Sequence, residues 1–183
     1  MTALTRLHTA LFAPLERADW ILPTLARFLF AAVLAVYFWV SALTKTGEGL
    51  LGAFQPSHGA YAQVFPRVME SIGYDVTQLG LYHYLVVTAG TLAEFILPLL
   101  IIIGLLTRLA SLGMIVFIVV QSLTDLTGHD NWGDGLVLGA WFDAPSSSLI
   151  MDQRALWVFL LLVIVTKGAG PLSFDRALKP RAT

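Results

Sequence analysis

The 183-residue chain contains no cysteine. That excludes disulfides, thiolate nucleophiles and cysteine-ligated iron–sulfur clusters. Charge is also scarce: Asp, Glu, Lys and Arg make up 13% of the residues, against about a quarter in an ordinary soluble domain. The four histidines all avoid the middle of the apolar runs, which argues against a bis-histidine haem held by this chain alone. No phosphate-cradling glycine loop, nucleophile elbow or basic groove occurs, so nucleotide hydrolysis, serine hydrolysis and nucleic-acid binding are not expected. Internal repeats and low-complexity tracts are absent too.

What the chain has instead is hydrocarbon. Hydrophobic residues reach 57% and the mean hydropathy is +0.76. Four apolar runs, at about 21–43, 83–106, 109–125 and 154–169, approach the roughly 20 residues needed to cross a bilayer. They predict an all-α transmembrane four-helix bundle, forming a single membrane domain over residues 1–183. The last two runs are short, so their ends should extend into flanking residues. The first is too long for a signal-peptide core. Residues 1–20, with Pro14 and paired charges, read as an amphipathic lead-in on the membrane surface.

Four spans put both termini and the turn near Thr107 and Arg108 on one side. That side holds Arg6, Arg17, Arg108, Arg176, Lys179 and Arg181 against Glu16, Asp19 and Asp175. The other holds Lys45, Arg67 and Arg154 against Glu48, Glu70, Asp75, Asp125, Asp130, Asp134, Asp143 and Asp152. The Lys/Arg excess predicts cytoplasmic termini and two long external loops. An interfacial helix is expected in the first loop, starting near Pro66 and ending at Gly73. Trp132, Trp141, Phe142 and Trp157 suit the headgroup level as anchors, with ligand stacking as the alternative.

Glu94 interrupts the second run about eleven residues, or roughly 17 Å, from either end. An acid near the bilayer centre costs at least about 2.5 kcal/mol. Pro98 removes the N–H that would bond back to the Glu94 carbonyl. A partner is therefore required. Helical spacing places His83, Val87, Gly90, Glu94, Ile101, Leu105 and Arg108 on one face of that helix. It places Arg27, Leu34, Phe38, Ser41 and Lys45 on one face of the first. Arg27, roughly 9 Å inside the boundary, is the preferred ion-pair partner for Glu94. Such a pair serves either as a salt bridge fixing helix register or as a ligand, proton or quinone site. Gly90 and Gly104 suit close helix packing.

Weaker candidates lie near the outer end of the third run, where Gln121 and Asp125 precede "GHDNWGD". His129, Asp130 and Asp134 lack the paired-histidine spacing of a metal site, so no metal is expected. Hydrogen bonding within the loop is the simpler use.

The C-terminal stretch "LLLVIVTKGAGPLSFDRAL", with Lys167, Gly168, Gly170, Pro171, Ser173 and Asp175, resembles the closing signature of the DoxX family. Arg27 followed by the Ser41–Lys45 segment is similar to that family's first-helix arginine and distal lysine. "AEFILPLLIIIGLLTRLAS" is similar to its second-helix glutamate followed by Gly and Thr-Arg. The resemblance runs from about residue 21 to 178. Ser41 stands where a glycine is usual, and the acidic second loop is longer than typical.

The resemblance implies functional positions at Arg27, Lys45, Glu94 and Arg108. It also implies a multi-pass protein of the bacterial cytoplasmic membrane, similar to membrane subunits of thiosulfate:quinone oxidoreductases; other members associate with redox-stress or metal-handling systems. A quinone needs hydrogen-bonding groups beside an apolar slot, and a buried carboxyl can relay its protons. Glu94 and Arg27 with Phe38 or Trp39 would supply these. Two readings follow. One is a quinone-linked subunit with no intrinsic cofactor, binding a quinone or lipid between helices around Glu94 and Arg27. The other is a non-catalytic accessory subunit meeting other membrane subunits or a periplasmic partner. A small transporter fits less well, because four spans without inverted repeats lack the usual architecture.

Overall fold

The computed structural model describes residues 2–49 and 51–179; Arg181, counted above among the charges at the terminal face, lies outside them. Helix α1 (Ala3–Glu16) buries no residue. Its leucines 4, 7, 11 and 15 are all exposed at helical spacing, as a helix lying in an interface requires. Helix α2 (Ile21–Lys45) is the first of four long enough and apolar enough to cross a membrane. Two short helices, α3 (His58–Val64) and α4 (Pro66–Ser71), fill the first loop. The other spans are α5 (Leu81–Ile103), α6 (Thr107–Gly128) and α7 (Leu149–Lys167), and α8 (Phe174–Ala177) closes the described chain.

The buried stripe of α2 explains its shape. Ala26, Phe30, Leu34, Phe38 and Ala42 are all buried at strict four-residue spacing. On a regular α-helix such a stripe drifts about 40° per step. A π-helical turn over Phe30–Ala35 takes in an additional residue and turns the stripe back toward the bundle. It packs on Ile101 of α5, on Ala110, Met114 and Ile118 of α6, and on Leu161 and Ile164 of α7. The outward faces are apolar as well: Phe28, Val33, Val36, Val40, Val116, Leu156 and Phe159 are all exposed. A water-soluble surface does not carry apolar patches of that extent, whereas hydrocarbon solvates them. The chain is a multi-pass membrane protein.

Most boundaries shift by a few residues from the sequence reading, three of them with consequences for the site. Span α5 stops at Ile103 because Gly104, at φ 72°, terminates it in the left-handed region. Thr107 and Arg108 therefore open α6 and do not form the turn, and Arg108 leaves the Glu94 face. Span α7 starts at Leu149, ahead of the expected Arg154. The charges that break the hydropathy run are turned inward, where Arg154 is buried and lies 2.6 Å from Asp125 Oδ2 on α6.

Candidate functional site

Glu94 and Lys45 form the buried centre of the half of the bundle away from the chain termini. Glu94 follows Val87 and Thr91 on the inward stripe of α5, which continues through Pro98 and Ile101; it is 1% exposed. Lys45 occupies the last turn of α2 and is 8% exposed. Its position at a helix C-terminus favours a cation. Lys45 Nζ donates to Glu94 Oε2 at 2.9 Å and to Oε1 at 3.1 Å. One turn back, Ser41 Oγ accepts from Lys45 at 2.7 Å and donates to Glu94 Oε1 at 2.9 Å. The serine thus joins both charges into one hydrogen-bonded triad, which the bilayer demands of intramembrane ions.

This corrects the expected Arg27–Glu94 pair. Ser41 lies level with Glu94, and Arg27 is fourteen residues before it on the same helix, roughly 21 Å away along the axis. No side chain spans that distance. The Arg27 guanidinium serves the opposite end. Its Nε donates to Ile101 O at 2.9 Å and its Nη2 to Ile102 O at 2.5 Å. Its Nη1 donates to Ala169 O and Leu172 O, each at 2.6 Å. These contacts satisfy the last carbonyls of α5 and tie them to the segment after α7.

Asp175 completes that end. Its Oδ1 accepts from Leu106 N at 2.7 Å, and its Oδ2 from Thr107 N at 2.9 Å and Thr107 Oγ1 at 2.6 Å. An anion at the N-terminus of α6 is favoured by the helix dipole. Burial pushes the Asp175 carboxyl up, but the hydrogen bonds from Thr107 and Leu106 and the Arg27 charge outweigh it, leaving it below the ordinary carboxylate value. Gly104 is wedged between these groups: a Cβ there would lie 2.5 Å from Ser173 Cβ and 2.9 Å from Arg27 Nη2. Gly104 is thus a cap that clears the arginine, beyond the helix-packing role expected of it. Arg108 donates to Thr166 O at 3.2 Å.

A cavity of about 500 Å³ opens beside the triad, between α2, α5 and α6, with Gln63 and Val64 of α3 at its rim. Its lining includes Ser41, Lys45, Glu94, Gln121, Asp125 and His129. Five of the seven candidate site residues thus converge on one space, and Arg27 and Arg108 lie at the other end. The walls are apolar, from Val86, Ala89, Ala93, Val116, Phe117 and Val120. A Cβ at Gly90 would meet nothing within 4 Å, so this glycine leaves the cavity wide and is not a packing contact. At Gly113 a Cβ would come within 3.2 Å of Leu97, so there α5 and α6 do approach closely.

Gln121 Nε2 donates to Tyr37 Oη at 3.3 Å, while its buried Oε1 has no donor among the described residues. His129 Nε2 lies 3.2 Å from Gln63 O, and Arg67 pairs with Asp130 at 3.3 Å. Among the described residues no three His, Asp or Glu side chains come together as metal ligands would.

The aromatic assignments also change. Phe38 is fully buried in the core, so Phe117 is the ring that faces the cavity. Trp39 Nε1 donates to Phe95 O at 3.3 Å, next to the carbonyl that Pro98 deprives of its helical donor. Trp157 is half-buried and packs against Tyr37 and Phe38, whereas Trp132, Trp141 and Phe142 are exposed. Sequence reasoning missed Arg154 as the partner of Asp125. Its only signal was a charge at the edge of an apolar run.

A family model described as DoxX matches residues 23–125. The match covers more than half of the chain, including Arg27, Lys45, Glu94, Arg108, Gln121 and Asp125, and ends before His129 and Arg154. No curated protein and no solved structure matches the chain.

Proposed function

The chain belongs to the DoxX family, and on that premise we propose that it is the membrane subunit of a quinone-linked redox system. The cavity beside Lys45 and Glu94 takes the quinone head group. One observation carries this reading: hydrogen-bonding groups and apolar walls share a single cavity within the span region, of a size that small-molecule sites occupy. A quinone supplies a flat ring with two oxygens on an apolar tail. By exchanging a partner within the triad, Lys45 or Ser41 donates to a ring oxygen, and the unpartnered Gln121 Oε1 fits the hydroxyl of the reduced form. Val116, Phe117 and Val120 face the ring and tail. Glu94, held by Lys45 and Ser41, moves a proton between the ring oxygen and the outer rim. Quinone chemistry exchanges electrons, and in this reading a partner subunit delivers them. In this reading the basic end faces the cytoplasm of a bacterial inner membrane.

The test is purification in mild detergent followed by quinone extraction and a quinone-reduction assay. Glu94→Gln, whose amide oxygen still accepts from Lys45, is expected to preserve assembly and lower quinone turnover roughly 100-fold, the weight of a positioned acid–base group. Unchanged turnover removes the relay. The exposed Leu136, Trp141 and Phe142 of the second loop favour a second reading, an accessory subunit docked through that loop. It is distinguished by a co-purifying partner chain with no bound quinone.

A further inference from the structure

The terminal end of the bundle holds a second cavity, of about 940 Å³, which the redox reading does not use. It lies where α2 and α6 begin and α7 ends. Arg17, Arg108, Lys167, Arg176 and Lys179 line it, with Asp19 and Asp175 as its acids. Five cations less two anions leave the lining at a formal +3. Asp175 is already committed: both of its oxygens accept hydrogen bonds from Leu106 and Thr107. Asp19 is exposed and stands 3.9 Å from Lys167. Among the described residues Arg17, Arg108, Arg176 and Lys179 have no carboxylate at ion-pairing distance. So large an unbalanced positive charge in a concave site attracts an anion.

The rest of the site says which anion. Trp20, Leu106 and Leu109 line the same cavity and are exposed. They stand at the ends of membrane-crossing helices, where headgroups give way to hydrocarbon. The leucine stripe of α1 is exposed just before Arg17 and suits burial in that same leaflet. A site that combines guanidinium groups with exposed leucines matches a phosphodiester carrying acyl chains. Arginine forks recognise phosphate oxygens in pairs, and basic pockets between spans bind anionic headgroups. We propose that this cleft binds the phosphate headgroup of an anionic phospholipid from the leaflet at which both chain termini emerge.

The test uses the full chain in phosphatidylcholine nanodiscs containing a minor fraction of phosphatidylglycerol with brominated acyl chains. Trp20 is the reporter, its signal isolated by subtracting Trp20→Phe. Trp20 is expected to be quenched strongly by brominated phosphatidylglycerol and weakly by an equal fraction of brominated phosphatidylcholine. Arg17→Gln combined with Arg176→Gln should reduce the apparent affinity roughly 30-fold, the weight of two cations near an anionic surface. Arg6→Gln lies at the same end and outside the cleft, and should reduce it no more than about fivefold. The melting temperature in detergent verifies that each variant is folded. Equal quenching by the two lipids overturns the proposal, as does an Arg6→Gln loss matching that of the double variant. Displacement of the brominated lipid by inorganic phosphate assigns the cleft to a soluble anion and overturns the lipid assignment.

Discussion

Arg27 and Glu94 are both ionisable groups placed among apolar helices, and the protein satisfies them by opposite means. At the terminal end, the Arg27 guanidinium meets four backbone carbonyls, and the Asp175 carboxylate meets two backbone amides and a hydroxyl. These charges bind helix ends, and most of their partners are backbone groups fixed by the fold. In the opposite half, Glu94 meets Lys45 and Ser41, three side chains beside a cavity. Side chains can exchange partners when a ligand arrives, whereas helix-terminal carbonyls cannot without unwinding the helix. The contrast separates charges that hold the fold from charges that can serve a site.

The largest expected effect breaks the Lys45–Glu94 pair. Glu94→Leu leaves Lys45 buried without its counter-charge and should cost about 3–5 kcal/mol. Adding Lys45→Met should recover most of that loss, while adding Arg27→Leu should simply add its own cost. Unfolding in detergent measures all of these variants, and recovery by the Arg27 change would restore the pairing that the geometry rejects.

Next comes Arg27→Lys, which keeps the charge and loses the fork. A single ammonium cannot reach carbonyls from two separate segments, so a loss of about 3 kcal/mol is expected. Two glycines give a finer contrast. Gly104→Ala forces a Cβ into the left-handed region against Ser173 and should cost about 1–3 kcal/mol. Gly90→Ala should leave the melting temperature unchanged or raise it slightly, yet lower quinone retention by narrowing the cavity.

The smallest effect is at Asp175. Asp175→Asn should cost about 1 kcal/mol as a weakened cap. Because the folded carboxyl titrates below its ordinary value, its contribution is present above the unfolded pKa and is lost as pH falls through the folded one. The wild type should therefore lose stability as the pH drops below the carboxylate range, and Asp175→Asn should show a smaller decrease over that interval.

The four spans were legible because long apolar windows reflect the solvent directly. The exception, the start of α7, failed where Asp152 and Arg154 lowered the local hydropathy. Local composition does not reveal that the arginine turns inward to Asp125. Glu94 was legible as a residue needing a cation, since the cost of a lone acid in hydrocarbon does not depend on the fold. Its partner was misread because helical spacing compares faces and ignores axial stagger, and the π turn of α2 further alters the facing. Lys45 and Ser41, both on the expected face, were there to be chosen.

By itself the sequence determined that lipid surrounds this chain, where most of it crosses, and that one mid-span acid must be matched. Those follow from composition and the dielectric of the surroundings, which act residue by residue. Only the tertiary structure decided that Lys45 answers Glu94, that Arg27 clasps helix ends, and that Gln121, Asp125 and His129 share a cavity with the pair. Such matches depend on how far one helix slides along another, and that offset is set by side chains interlocking across the whole bundle.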